Sequence, residues 1–147
     1  MAILDTKKKP YIVDRDDRVF IGIDLPIRKS DSSEGYFAST NTTIDAVKNN
    51  IKNLLSTEIG ERFMQPTLGI NLKKYLFENI GDETILDIQN QIIDKFKFWL
   101  PFVEIKRIDV NMNENDSIGK HKLYINIVFN IQQDPNTLDS VNIEIGE

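Results

Sequence analysis

Apolar residues that recur every three or four positions predict a helix over residues 44–55. Its apolar positions recur at helical spacing and predict one buried face: Ile44, Val47, Ile51, Leu54 and Leu55. The positions between them are polar and are expected to face water: Lys48, Asn49, Asn50, Lys52 and Asn53. Thr42 or Thr43 can cap the amino end, where Asp45 suits the helix dipole.

A longer helical pattern begins at Asp82 and ends before Pro101, which cannot continue a helix. Its predicted buried stripe contains Ile85, Ile88, Ile92, Phe96 and Trp99, widened by Leu86, Ile93 and Leu100. Between the two patterns, Asn71 is suited to cap a short helix that turns Leu72, Tyr75 and Leu76 inward. Gly81 separates this short helix from the long one.

The last third of the chain changes from helical spacing to strict alternation, which is typical of half-buried strands. One strand is predicted to turn Leu123, Ile125, Ile127, Phe129 and Ile131 to the same side, and another does so with Val141, Ile143 and Ile145. A strand before them changes parity between Ile105 and Ile108, which predicts a bulge near Lys106 and Arg107. The fold class expected is α+β, with a small antiparallel sheet, mainly from the C-terminal third, packed against two or three helices.

The region before the first helix has weaker patterns. Residues 1–18 mix charges without a sustained period and are expected to form an extended N-terminal arm, followed by a single domain over residues 19–147. Residues 19–23 form a short apolar run that Pro26 ends, and residues 29–43 are polar enough to predict a loop. The segment 113–120 is expected to close the hairpin between the first two C-terminal strands.

Composition excludes several classes of protein. The 18 basic and 23 acidic residues give a net charge of −5, the wrong sign for a protein whose whole surface binds the phosphate backbone of a nucleic acid. No apolar run reaches the ~20 residues of a membrane span, and no secretory signal is recognisable, so we expect a cytoplasmic site of synthesis and folding. Cysteine is absent and His121 is the sole histidine, so no metal site and no cofactor is expected.

The segment 57–69 is the most distinctive part of the sequence. It contains Gly60, Glu61, Arg62, Met64, Pro66 and Gly69. Two glycines that permit tight turns and a proline with a fixed φ predict a connection that holds one shape. The Arg62 guanidinium is suited to tie this loop to neighbouring oxygens, and its removal would then cost about 2–4 kcal/mol.

This spacing resembles the baseplate wedge and sheath-initiator family of contractile phage tails, which also has members in type VI secretion baseplates. The resemblance continues from Leu25-Pro26-Ile27, where the family has an aromatic-Pro-Ile step, to Trp99 and Pro101. It implies a structural protein of a tail baseplate, present in several copies, that binds wedge proteins, sheath subunits and possibly the tail tube. It also implies that this protein starts the sheath by pairing strands, and that it lies in the virion baseplate after assembly in the host cytoplasm.

Two contact surfaces follow from this resemblance. The family commonly grips the wedge through Glu-Pro-Arg after the long helix, where this chain has Leu100, Pro101 and Phe102 without either charge. These residues are either an apolar wedge contact or part of the core. The candidate sheath contact is formed by the last strands, with Leu123, Ile125, Ile127, Phe129, Val141, Ile143 and Ile145.

The alternative function is a peptidoglycan-degrading, lysozyme-like enzyme, because members of the resembled family have carried that label. Glycoside hydrolysis requires a carboxylic acid kept neutral by an apolar pocket and a second carboxylate across the scissile bond. Glu58 with Glu61 is one candidate group, and Glu78 with Asp82 and Glu83 is the other. Both groups lie in polar connections, so we expect no enzyme activity and no catalytic residue.

Overall fold

The computed structural model describes residues 20–30, 35–78, 81–113, 122–132 and 134–146. The predicted N-terminal arm, the turn of the predicted hairpin loop and His121 lie outside these ranges. The elements in chain order are β1 (Gly22–Ile23), β2 (Ser39–Thr40), α1 (Thr43–Ser56), a 3-10 helix (Lys73–Phe77), α2 (Asp82–Trp99), β3 (Val103–Asn113), β4 (Lys122–Ile131) and β5 (Asp134–Gly146). The predicted α+β class is confirmed.

Strands β3, β4 and β5 form an antiparallel sheet with β4 in the middle. The register between β3 and β4 shifts between Ile105 and Arg107, which confirms the predicted bulge. Strand β5 follows β4 in unbroken register from Asp139 to Gly146. One face of this sheet is apolar and the other carries polar side chains, because side chains alternate along each strand.

Helices α1 and α2 cover the apolar face of the sheet, with α1 over β5 and α2 over β3. Thr42 caps α1 through a hydrogen bond from the Asp45 backbone N–H to its hydroxyl, at 3.3 Å. The α2 helix ends at Trp99, directly before Leu100 and Pro101, as predicted. None of the described helices is long and apolar enough to cross a membrane.

The 3-10 helix is fixed to α2 by Tyr75, which is 2% exposed. Its hydroxyl donates a hydrogen bond to the Asp87 carboxylate and accepts one from Gln91 Nε2. Burial and the bond to Asp87 raise the pKa of the Tyr75 hydroxyl, so the group stays neutral and keeps donating. This docking places the segment that follows the distinctive loop against the core.

Several details of the sequence prediction are wrong. Asn49 is buried rather than exposed, because its side chain donates to the Ile23 carbonyl, 3.3 Å away, in a distant part of the chain. Leu86 is 58% exposed and does not widen the buried stripe of α2. Asn71 caps no helix; its side-chain oxygen accepts from the Ile59 backbone N–H at 3.0 Å. The predicted loop over residues 29–43 contains strand β2, which pairs with β1.

Candidate assembly surfaces

The distinctive segment folds into a closed loop over residues 57–70, which we call the motif loop. Its two ends meet where the Ile70 backbone N–H donates to the Thr57 carbonyl at 2.9 Å. A second bond closes the interior, from the Gly60 N–H to the Pro66 carbonyl at 2.8 Å. Lys95 of α2 also donates to the Thr67 carbonyl at 2.9 Å. These bonds hold the loop in one shape, as the sequence pattern predicts.

Glycine is required at position 69 because the backbone of Thr57 lies too close to leave room for a side chain. Gly69 has a φ of +103°, and a Cβ atom at this position would lie 2.2 Å from the Thr57 carbonyl oxygen. That same oxygen accepts the bond that closes the loop. Gly60 also has a positive φ, of +90°, but no atom lies within 4 Å of its Cβ position.

The charged side chains of the motif loop form hydrogen bonds and an ion pair within this chain. The Glu61 carboxylate accepts from the Glu58 backbone N–H at 3.0 Å, and Glu58 forms an ion pair with Lys73 at 2.9 Å. The Arg62 guanidinium donates to the Asn53 side-chain oxygen of α1 at 2.7 Å. These contacts attach the loop to α1 and to the start of the 3-10 helix, so the charged side chains hold the loop in place.

The tip of the motif loop exposes two apolar side chains. Phe63 is 95% exposed and Met64 is 87% exposed. Met64 belongs to the motif identified from the sequence, whereas Phe63 does not. The exposure of Phe63 could not be predicted, because an irregular loop has no period that separates buried positions from exposed ones. The two adjacent side chains give the loop an exposed apolar tip, which is a candidate contact with another protein.

We expect Arg62→Ala to lower the free energy of unfolding by about 1 kcal/mol, less than the sequence alone indicates. The guanidinium is exposed and its hydrogen bond to Asn53 lies at the surface, where water replaces the lost partner. Arg62→Lys should keep most of this stability because a lysine also offers an N–H donor. Urea unfolding of the three proteins measures the difference, and a loss of about 3 kcal/mol or more, the size expected when a buried ion pair is broken, would contradict this surface role.

The turn between α2 and β3 contains the candidate wedge contact. Leu100 is 7% exposed and belongs to the core, whereas Pro101 is exposed and Phe102 is 38% exposed. Phe98 is 73% exposed and packs edge to face on Trp99, with ring centroids 5.1 Å apart. The turn therefore presents aromatic surface that includes Phe98, a residue that the sequence analysis placed in no site.

The candidate sheath residues lie on the apolar face of the sheet, under the helices. Leu123, Ile127 and Phe129 are fully buried, Ile125 is 1% exposed and Val141 is 2% exposed. Ile143 is buried at 9% exposure and Ile145 is partly buried against the same cluster. Strand β4 has a neighbour on each side, so its backbone is already paired. The backbone of the outer strands is the part of this surface that another chain can reach.

The two outer strands of the sheet differ in ways that matter for pairing. Strand β3 carries the bulge, and Lys106 and Arg107 beside it are exposed. Bulges and basic side chains are the devices by which proteins prevent a strand edge from pairing. Strand β5 has neither proline, lysine nor arginine between Leu138 and Gly146 and no register shift from Asp139 onward. Among the described residues, no strand pairs with the outer side of β5.

Most of the carboxylates considered for hydrolysis contact polar partners or line a polar cleft. Glu58 is ion-paired with Lys73 and its side chain is 41% exposed. Glu78 and Glu83 share an open cleft of about 470 Å³ with Asp87, and every residue lining it except Leu86 carries a polar group. Asp82 does not line this cleft. Among the described residues, the cleft beside Glu78 and Glu83 offers no apolar pocket that would keep a carboxylic acid neutral, and the small cleft beside Glu58 also contains its ion-pair partner Lys73.

Comparison with known proteins finds one family and several similar structures. The profile of the family described as baseplate wedge protein gp25 matches residues 41–136. A candidate tail lysozyme of Geobacter sulfurreducens is 22% identical, with a TM-score of 0.58 over 71% of this chain and 91% of that chain. A chain of the anti-feeding prophage baseplate is 24% identical, with a TM-score of 0.61 over 78% of this chain and 86% of that chain.

A chain of the type VI secretion baseplate complex is 16% identical, with a TM-score of 0.49 over 70% of this chain and 92% of that chain. No curated protein sequence matches. The Geobacter and anti-feeding prophage structures, with TM-scores above 0.5, show a shared fold, while the family profile covers well over half of the chain.

Proposed function

The chain belongs to the baseplate wedge protein gp25 family, and we propose that in the baseplate it docks on wedge proteins and starts the sheath by pairing its β5 strand with a strand of a sheath subunit. Family membership assigns it a structural role in a baseplate. The pairing step, the docking step and their partners are the parts that we propose. Wedge proteins and sheath subunits are the partners, the tail tube is a neighbour, and several copies act in one baseplate.

The observation that carries this proposal is the outer edge of β5 from Asp139 to Gly146, which has no proline, no basic residue and no register shift. An extended segment that joins a sheet edge gains affinity from backbone hydrogen bonds, because each second residue offers an N–H and a C=O to the incoming strand. The bulge and basic residues of β3 disfavour pairing there, so β5 is the edge that favours it. The test of this step is whether a proline that blocks the outer edge of β5, in a chain that still folds, prevents sheath assembly on baseplates.

Docking on the wedge is supported by the aromatic surface at the turn between α2 and β3. Phe98 and Phe102 are exposed there, and Pro101 lies between the helix end and the strand. The lack of charge in Leu100-Pro101-Phe102 favours a contact that is buried by apolar packing. Aromatic side chains are strong contributors to such interfaces because they bury a large area with few rotatable bonds.

We expect the double variant Phe98→Ser, Phe102→Ser to fold as the wild type and to be depleted at least about tenfold from assembled baseplates, since one lost hot spot costs about 2 kcal/mol of binding. Quantitative mass spectrometry of purified particles measures the depletion. Leu86→Ser is the matched control because Leu86 is also exposed on α2 but at its other end. Normal incorporation of the double variant would place the wedge contact elsewhere, for example at the motif-loop tip.

This role involves no catalytic turnover. Both carboxylates of the motif loop are engaged in contacts that position it, and the second acidic group lies in a polar cleft. We therefore propose that the chain hydrolyses no peptidoglycan and needs neither metal nor cofactor. Release of reducing sugar by the wild type that disappears in Glu58→Gln or Glu61→Gln would contradict this part of the proposal.

A further inference from the structure

Two clefts lie next to each other along the outer edge of β5. The larger has a volume of about 450 Å³ and lies between residues 142–144 and a wall formed by the carboxyl-terminal part of α1 and the Leu25-Pro26 step. The smaller, of about 180 Å³, lies between residues 144–146 and the residues that flank the motif loop, including Ile70 and Leu72. Ser56, at the end of α1, lines both clefts and is itself exposed.

The spacing of the clefts matches that of side chains on an extended strand. Ile143 lines the larger cleft and Ile145 lines the smaller, and these two residues are one two-residue repeat of β5 apart. Alternate side chains of a strand point to the same side and are roughly 7 Å apart. A strand paired with β5 would therefore direct two successive same-side residues towards α1, one into each cleft.

The far walls of both clefts are held in place by polar contacts. Asn49 of α1 donates to the Ile23 carbonyl and to Asp24, which fixes the segment that leads to Leu25. Burial acts to raise the pKa of Asp24, but hydrogen bonds from Arg28 and Asn49 outweigh it, so this pKa is lowered and the carboxylate stays charged. The ion pair between Lys73 and Glu58 fixes the wall of the smaller cleft.

We propose that these clefts form a graded acceptor site that selects a partner strand with two apolar residues separated by one position, the bulkier opposite Ile143 and the smaller opposite Ile145. This inference rests on the proposed pairing of β5 with a sheath strand and specifies which strand sequence is accepted. Leu25, Pro26 and Ile143 give the larger cleft apolar surface, and Leu55, Ile70, Leu72 and Ile145 do so for the smaller. The motif loop and the Leu25-Pro26 step, far apart in sequence, thus act together as walls of one site.

The test is to fill the clefts from Ser56, an exposed position of α1 that lines both. We expect Ser56→Phe to keep the wild-type melting temperature and to lower the yield of sheath on baseplates at least about tenfold, by occupying the space for the partner's side chains. Asn50→Phe is the matched control, since Asn50 is exposed on the same helix and lines neither cleft. Normal sheath yield with folded Ser56→Phe overturns the inference.

A second measurement covers the case in which Ser56→Phe does not fold. The wild type has no cysteine, so Ser56→Cys carries a benzophenone label at one position only. Irradiation of assembled particles should join the label to a sheath segment with the apolar-x-apolar pattern, and attachment only to other proteins or to a segment without this pattern overturns the inference. If a proline at the β5 edge blocks the sheath while Ser56→Phe does not, strand pairing stands and the clefts select nothing. If neither variant affects the sheath, the proposed function itself fails.

Discussion

A folded chain with a proline on the outer edge of β5 should fail to support sheath assembly. Each ladder bond contributes about 1 kcal/mol, and the proline ring also fills the space where the incoming backbone would lie. Together these effects should lower sheath yield on baseplates by about tenfold or more. The chain itself should keep its melting temperature, because a proline is tolerated on a strand edge whose N–H faces solvent.

Asn142→Pro and Val141→Pro form a complementary pair for this experiment. Neighbouring residues of a strand direct their N–H groups to opposite sides, so one of the two prolines removes a bond to β4 and the other removes an outward donor. The variant that retains the wild-type melting temperature is the one to test on baseplates. Asn142→Thr keeps the N–H and is the control for the side chain. Wild-type sheath growth on the folded proline variant would show that β5 is not the template.

Gly69→Ala should lower the free energy of unfolding by about 3–5 kcal/mol. The added methyl group would collide with the Thr57 carbonyl, only 2.2 Å away, and alanine is strained at a φ of +103°. Relief would require the loop to break the bond between Ile70 and Thr57 that closes it. In a domain of this size the change corresponds to a drop in melting temperature of roughly 10 °C.

Gly60→Ala separates the two causes of this effect. Gly60 shares the positive φ but has open space at its Cβ position, so its substitution should cost about 1 kcal/mol. Thermal unfolding of both variants beside the wild type measures the contrast. Equal costs for the two glycines would mean that the close approach at Thr57 does not determine the shape of the motif loop.

The regular elements could be predicted because their signals are local. Thr42 with Asp45, and Pro101, mark helix ends by properties of their own backbone and side chains, and the change of parity near Lys106 is visible in the sequence. Burial of Asn49 could not be predicted, since its partner Ile23 lies in another segment and only the folded chain brings the two together. Asn71 has the properties of a helix cap, yet a bond to Ile59 satisfies it.

The geometry around the candidate sites could be predicted only in part for the same reason. The motif pattern predicts a fixed loop, and the structure has one, but the role of Gly69 depends on a carbonyl twelve positions earlier in the chain. Alternation identifies the strands without giving their order, so it cannot distinguish the paired β4 from the outer β5. The clefts beside Ile143 depend on α1 and on Leu25, which no spacing in the sequence connects.

Hydrogen exchange of the β5 amides tests the central claim most directly. In the isolated chain, alternate amides between Leu138 and Gly146 donate to β4 and should exchange slowly, whereas the amides between them face solvent and should exchange fast. In baseplates carrying the first sheath subunits, the fast set should become protected while baseplates without sheath leave it unchanged. Protection that appears on β3 or on the helices, with the outward β5 amides still exchanging fast, would contradict the claim that β5 is the strand on which the sheath begins.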